Sequence, residues 1–212
     1  ANSIMQRMRD NAKTEMEPVF YLRCAVFLAQ TAVDAGDSKA YEGVIVDLEG
    51  RMKDRVFAST ARQFGPAVNL LMNDLRVRDL INRNELDKAL QAITYRPEYS
   101  AGQASEEPKQ LIFTDAVPLG FATNIHLLKG DASRAETYLK RLQTVLSGLP
   151  NPDPEAQATA ATLSGRIASL EGRTADAQTD FQAARELLQT AFNGDHPKAI
   201  PTLIATAKLS LK

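Results

Sequence analysis

Tryptophan is absent from this 212-residue chain, cysteine occurs once and histidine twice. A lone thiol, Cys24, closes no internal disulfide and cannot supply the paired thiolates of a structural zinc site. His126 and His196 stand far apart, with no second imidazole three or four positions from either, so no helix-borne metal pair exists. Glycine-rich phosphate loops, nucleophile elbows and metal triads are also missing, and neither a catalytic residue nor a cofactor or metal is expected. No run of about 18 uncharged apolar residues is present, which excludes a membrane-spanning helix within this stretch of chain. The formal net charge is −1, without the broad positive field that phosphate binding uses, so nucleic acid is not an expected partner.

Alanine and leucine, both strong helix formers, dominate what remains, and period-two alternation of β-branched residues is hard to find. The expected fold class is therefore all-α, as one helical domain over 1–212 with irregular hairpins in 1–107 and better-formed ones in 108–212. The chain begins at Ala1 rather than methionine, as a processed or excised product would, and the compartment stays open, with cytoplasm favoured and periplasm the alternative if an upstream tether or signal is missing. An internal repeat carries the organisation. Gly130 and Gly172, Ala135 and Ala177, Leu139 and Phe181 are each 42 positions apart. Upstream, Gly36 followed by Tyr41, Ile45 and Leu48, and Asn84 followed by Ala89 and Ile93, read as two further helix stops with apolar anchors beyond them. Arg96–Ser105, polar and without an apolar stripe, reads as a loop inserted between the halves, with Ser105, Glu106 and Glu107 starting the next helix. Asp153 before Pro154 is a helix start signal, whereas Pro66 and Pro118 are expected to break or kink their helices.

Gly165, Ala168, Gly172, Ala177, Phe181 and Ala184 follow the spacing of the tetratricopeptide repeat, and this segment resembles that family, although Ala161 and Ala168 stand where the family carries aromatics. The 42-residue unit and the Gly194-Asp195-His196-Pro197 turn that ends it are similar to the kinesin light chain type of repeat, over roughly residues 115–212. The resemblance implies antiparallel helix hairpins stacked as a right-handed α-α solenoid, and a role as a protein-interaction scaffold, often the non-catalytic part of a larger bacterial protein. A ligand- or peptide-sensing domain of a transcription regulator or signalling kinase is the alternative. It also implies that the first helices of the hairpins line a binding face for another protein or a peptide. One position after the small residue of those helices stand Gln30, Arg78, Asn124 and Arg166, two arginines and two amides suited to an extended peptide backbone or a carboxylate.

Other residues read as structural. The basic middle third, Arg51, Lys53, Arg55, Arg62, Arg76, Arg78, Arg83 and Lys88, is interleaved with Asp74, Asp79, Glu85 and Asp87 and has no aromatic platform. His126, between Ile125 and Leu127, reads as a packed histidine, His196 as part of a turn and Cys24 as a small buried hydrophobe. The carboxylate pairs Glu15/Glu17 and Glu106/Glu107 stand before Pro18 and at a helix start, not in apolar settings that would raise a pKa. The last helix, Pro197 to Leu211, presents Ile200, Leu203, Ile204, Ala207 and Leu211 with no partner helix after it. It is expected to cap the fold or to pair with a second copy in a homodimer.

Overall fold

Every helix stop marked in the sequence becomes the same backbone device. At Gly36, Asn84, Gly130 and Gly172 the chain enters the left-handed region, with φ of 69°, 59°, 75° and 78°. Each amide there donates to the carbonyl three residues back, and the following amide reaches five residues back, as in Gly36 N–H to Val33 and Asp37 N–H to Ala32. This paired bonding is the Schellman motif, which satisfies the orphan carbonyls of a helix end and reverses the chain. Glycine enters that region without a Cβ penalty; at Asn84 an asparagine does so, the residue that tolerates it best after glycine.

The computed structural model describes residues 6–7, 18–93, 115–194 and 197–210, and all regular structure among them is helical. They belong to two compact units, 1–106 and 107–212. The Arg96–Ser105 segment, Glu15, Glu17, Glu106, Glu107, Asp195, His196 and Leu211 lie outside the described residues.

In the first unit α1 (Pro18–Asp34) turns into α2 (Ser38–Met52), and α3 (Ala58–Asn82) turns into α4 (Leu86–Ala92). Tyr21, Leu22, Ala25, Leu28, Ala29 and Val33 form the buried stripe of α1, meeting Tyr41, Val44 and Leu48 of α2 and Leu75 of α3. The Tyr21 and Phe57 rings meet edge to face at 5.4 Å. Two hydrogen bonds lock the α3 register: Ser38 Oγ donates to the buried Asp79 carboxylate at 2.5 Å, and Asn82 Nδ2 donates to the Val33 carbonyl at 2.8 Å. Ala89 and Ile93 are buried as expected. Pro66, however, does not break α3, which runs through it unbroken. The one lost backbone bond is offset by tertiary burial of the same helix, with Val68, Met72 and Leu75 packed into the core. Pro118 falls in the first turn of its helix, where the missing N–H has no intrahelical acceptor to lose.

In the second unit α5 (Ala116–Leu128) pairs with α6 (Ala132–Ser147), α7 (Pro154–Leu170) with α8 (Thr174–Phe192), and α9 (Ile200–Ser210) packs on both α7 and α8. Asp153 caps α7, accepting the Glu155 amide at 3.2 Å with Pro154 in the first turn, as its sequence announced. The 42-residue spacing is a packing register. Ala135 and Ala177 are both fully buried, as are Ile125 and Ile167, with Leu209 continuing that last series in α9. At Gly165, α7 and α8 come close together. A Cβ built there would lie 2.5 Å from Phe181 Cε1.

Candidate functional site

The faces of α1 and α3 in the first unit, and of α5 and α7 in the second, carry the four residues singled out above. On α1, Phe27, Gln30 and Asp34 recur at intervals of three and four and share one exposed side. On α3 the same intervals bring Leu71, Asp74 and Arg78 to one side. Asp34 and Arg78 form an ion pair across the two helices, so this arginine is already satisfied by a carboxylate of its own unit. Gln30 stands one turn before Asp34 and is exposed. Asp74 stands one turn before Arg78; burial raises its carboxyl pKa to about 6, against the opposing pull of the guanidinium. Phe27 and Leu71 add apolar surface, exposed by 42% and 39%.

In the second unit the 42-residue register brings Asn124 and Arg166 together. Arg166 Nη1 donates to Asn124 Oδ1 at 2.5 Å, between α5 and α7. The guanidinium is half-buried, and burial pulls its pKa below the ordinary arginine value. Unlike Arg78, it has no carboxylate within ion-pair reach among the described residues. One of its five N–H groups serves Asn124. Leu128 and Leu170, one turn further on and again 42 apart, are each 47% exposed and flank the pair with apolar surface. Lys208 takes the same place on α9 and is exposed. It went unread as a site residue although the spacing that links Asn124 to Arg166 leads directly to it. Of the four candidates, Gln30 and Arg78 belong to the first unit, and Asn124 and Arg166 to the second, where they are hydrogen-bonded to each other.

The remaining chemistry-bearing side chains are tied into the fold. Arg83 reaches Asp79 at 3.2 Å, Glu85 at 3.3 Å and Glu42 at 3.4 Å, Lys88 pairs with Glu85, and Arg51 with Asp54, so several cations of the basic stretch are answered by carboxylates. His126 is buried, its ring stacked on Tyr138 at a centroid distance of 5.3 Å. Its Nδ1 has no hydrogen-bond partner; Asp131, just past the turn, is 3.9 Å away and spends its other oxygen capping α6 through the Arg134 amide. Burial lowers the imidazole pKa, with Asp131 opposing and Arg134 and Lys129 reinforcing the shift. Asp131 lies beyond the end of the helix that carries His126, five residues on, and reaches the ring only because the chain turns there. Cys24 is buried. Among the described residues no group of three His, Cys, Asp or Glu side chains could hold a metal ion, and no helix is long and apolar enough to cross a membrane.

Two grooves open to solvent lie among the described residues, one in each unit. One, about 340 Å³, lies in the first unit between α1 and α2, lined by Leu28, Thr31, Asp37, Val44 and Asp47. The other, about 460 Å³, lies in the second unit among α6, α7 and α8, with Gln143, Leu146, Gln157, Asp180 and Leu187 on its walls. Neither contains any of the four candidate residues. Comparison of the chain with protein-family models, with curated proteins and with solved structures finds no match.

Proposed function

We propose that this chain is a protein-interaction module of the tetratricopeptide-like solenoid class, whose first-helix faces bind an acidic peptide segment of another protein. The single observation behind the reading is Arg166: a half-buried guanidinium, oriented by Asn124, flanked by exposed leucines and without a carboxylate partner among the described residues. Holding a cation partly out of water without a counter-charge is unfavourable, and a ligand carboxylate supplies that charge in bidentate geometry. Four hairpins closed by one turn motif, and burial repeating every 42 residues in the second unit, supply the repeat character that such modules use. Arg78 has its carboxylate already in Asp34, so the first-unit face contributes amide and apolar contacts more than charge.

The test is fluorescence anisotropy with a panel of labelled peptides varying in acidic content and in the presence of a free C-terminal carboxylate. Acidic members are expected to bind with an affinity that falls as salt rises, and Arg166→Ala to weaken them roughly tenfold or more, as loss of a charge-assisted hydrogen bond does. An absence of binding across the panel, or equal affinity in Arg166→Ala, would remove the proposal. The roughly 460 Å³ groove favours a second reading, a ligand-sensing regulatory domain, because its volume lies within the range of small-molecule sites. A thermal-shift screen of small metabolites separates the two readings, since only a sensor is stabilised by them.

A further inference from the structure

The first unit carries a half-buried carboxylate that the fold supplies with no counter-ion among the described residues. The helices α1 and α3 are joined near the C-terminal end of each by the Asp34–Arg78 ion pair and by the bond from Asn82 Nδ2 to the Val33 carbonyl. Val68, Met72 and Leu75, further back on α3, enter the same core cluster as the α1 stripe, so the two helices run side by side in one direction. The ion pair sets their register. One turn back along both helices it places Asp74 across from Gln30, and the next turn places Leu71 across from Phe27. Asp74 makes no hydrogen bond or ion pair among the described residues. Of the charged groups on α1 to α4, Arg78 is the one whose field reaches its carboxyl, and Arg78 is committed to Asp34. Burial holds the Asp74 pKa at about 6, so at neutral pH the group is mostly ionised and short of counter-charge. For an acidic ligand this face has no cation to spare; what it offers is an anion.

We infer that this face docks an arginine side chain of another protein, the guanidinium pairing with Asp74 and lying against the ring of Phe27. Three features select arginine. A carboxylate held partly out of water gains most from a partner that gives two parallel N–H bonds, as a guanidinium does. The amide oxygen of the exposed Gln30, across from Asp74, accepts a further one of the five guanidinium N–H groups. Phe27, 42% exposed, offers a ring face to a planar cation, and a guanidinium is more weakly hydrated than a lysine ammonium. Leu71, 39% exposed, and Phe64, two turns before it and 36% exposed, continue the apolar surface for the stem of the arginine and its neighbours in the ligand. Asp34 neutralises Arg78, so the incoming cation meets little repulsion from it. This contact stands on residues other than Asn124 and Arg166 and is independent of the acidic-peptide reading.

The experiment is fluorescence anisotropy of the full chain with labelled acetyl-Leu-Arg-Leu-amide and with the same peptide carrying citrulline, which keeps the shape of arginine and removes its charge. At about pH 7.5 the arginine peptide is expected to bind with a Kd of roughly 0.05–1 mM, and the citrulline peptide about tenfold more weakly. Asp74→Asn is expected to erase that difference. The substitution removes a half-buried charge and keeps the side-chain shape, so it reads the contact rather than the fold. Arg166→Ala is expected to leave the difference intact. As pH falls through about 6, Asp74 takes up a proton, and the arginine peptide is expected to weaken towards the citrulline peptide in the wild type but not in Asp74→Asn. Equal affinity for the two peptides, no binding of either, an arginine preference retained in Asp74→Asn, or a preference that persists unchanged in acid would each overturn the inference.

Discussion

Gly165→Ala places one methyl group where α7 and α8 leave no room for it. The added carbon would lie 2.5 Å and 2.6 Å from two atoms of the Phe181 ring and 3.1 Å from the Ala177 carbonyl oxygen. Carbon atoms pack favourably at about 3.5–4.0 Å, so the ring must retreat by roughly 1 Å. Phe181 is 2% exposed and packed in one cluster with Ala168, Ala177, Ala205 and Leu209, so moving the ring disturbs those neighbours. Overpacking of this kind costs about 1–3 kcal/mol, and the double clash on ring and backbone points to the upper part of that range. Alanine recovers about 1 kcal/mol of helix propensity over glycine, leaving a net loss of about 2 kcal/mol. Gly43, inside α2, has nothing within 4 Å of its built Cβ, so Gly43→Ala gains the propensity alone, about 0.5–1 kcal/mol. The chain has no tryptophan, so urea unfolding is followed by far-UV circular dichroism, where the two substitutions are expected to move the transition in opposite directions. Phe181→Leu, destabilising alone, should cost less in the Gly165→Ala background than in the wild type, with a coupling on the order of 1 kcal/mol. If Gly165→Ala proves as benign as Gly43→Ala, the close approach of the two helices is refuted.

Three further outcomes follow from other parts of the molecule. Asp74 has its carboxyl pKa raised to about 6, so the folded protein holds a proton that the unfolded chain releases, and stability falls as pH rises from the ordinary carboxyl value towards 6. Asp74→Asn is expected to abolish that decline and to gain roughly 1–2 kcal/mol at pH 7, after allowance for solvent screening of a partly exposed group; an unchanged pH profile would refute it. His126 has the opposite linkage. Its pKa is lowered in the fold, so its contribution is complete above the unfolded value of 6.5 and is lost as pH falls below it, a slope that chemical unfolding should find removed in His126→Phe. Asn84 holds a left-handed conformation, so Asn84→Gly should be neutral or stabilising and Asn84→Val should cost about 1–2 kcal/mol in the same assay.

Much of the fold was legible because helical hairpins are local objects. Gly130 and Gly172 announce helix stops from their own conformational freedom, Asp153 and Pro154 announce a helix start, and the 42-residue spacing announces which positions share a packing environment. At Pro66 the local cost is real, but whether the helix breaks there was decided by distant residues of the first-unit core, which hold α3 continuous. The candidate site divides along the same line. The spacing from Asn124 to Arg166 is in the sequence and places both on one face, and it would have yielded Lys208 had it been followed one step further. The partners that set their chemistry are not local. Nothing in the neighbourhood of Arg78 singles out Asp34, 44 residues earlier, as its carboxylate, and nothing around Arg166 announces that no carboxylate among the described residues reaches it. His126 and Asp131 approach only because a turn folds between them.

The sequence by itself determined the all-helical character, the places where the chain reverses and the period on which the second unit repeats, since capping, propensity and apolar spacing act within a turn or two of the residue that carries them. Tertiary structure alone decided that Arg78 is paired with a carboxylate while Arg166, among the described residues, meets an amide, and which apolar stripe is buried and which is left facing solvent. Those outcomes depend on what lies across a helix interface, and burial and electrostatics are properties of neighbours in space rather than of neighbours along the chain.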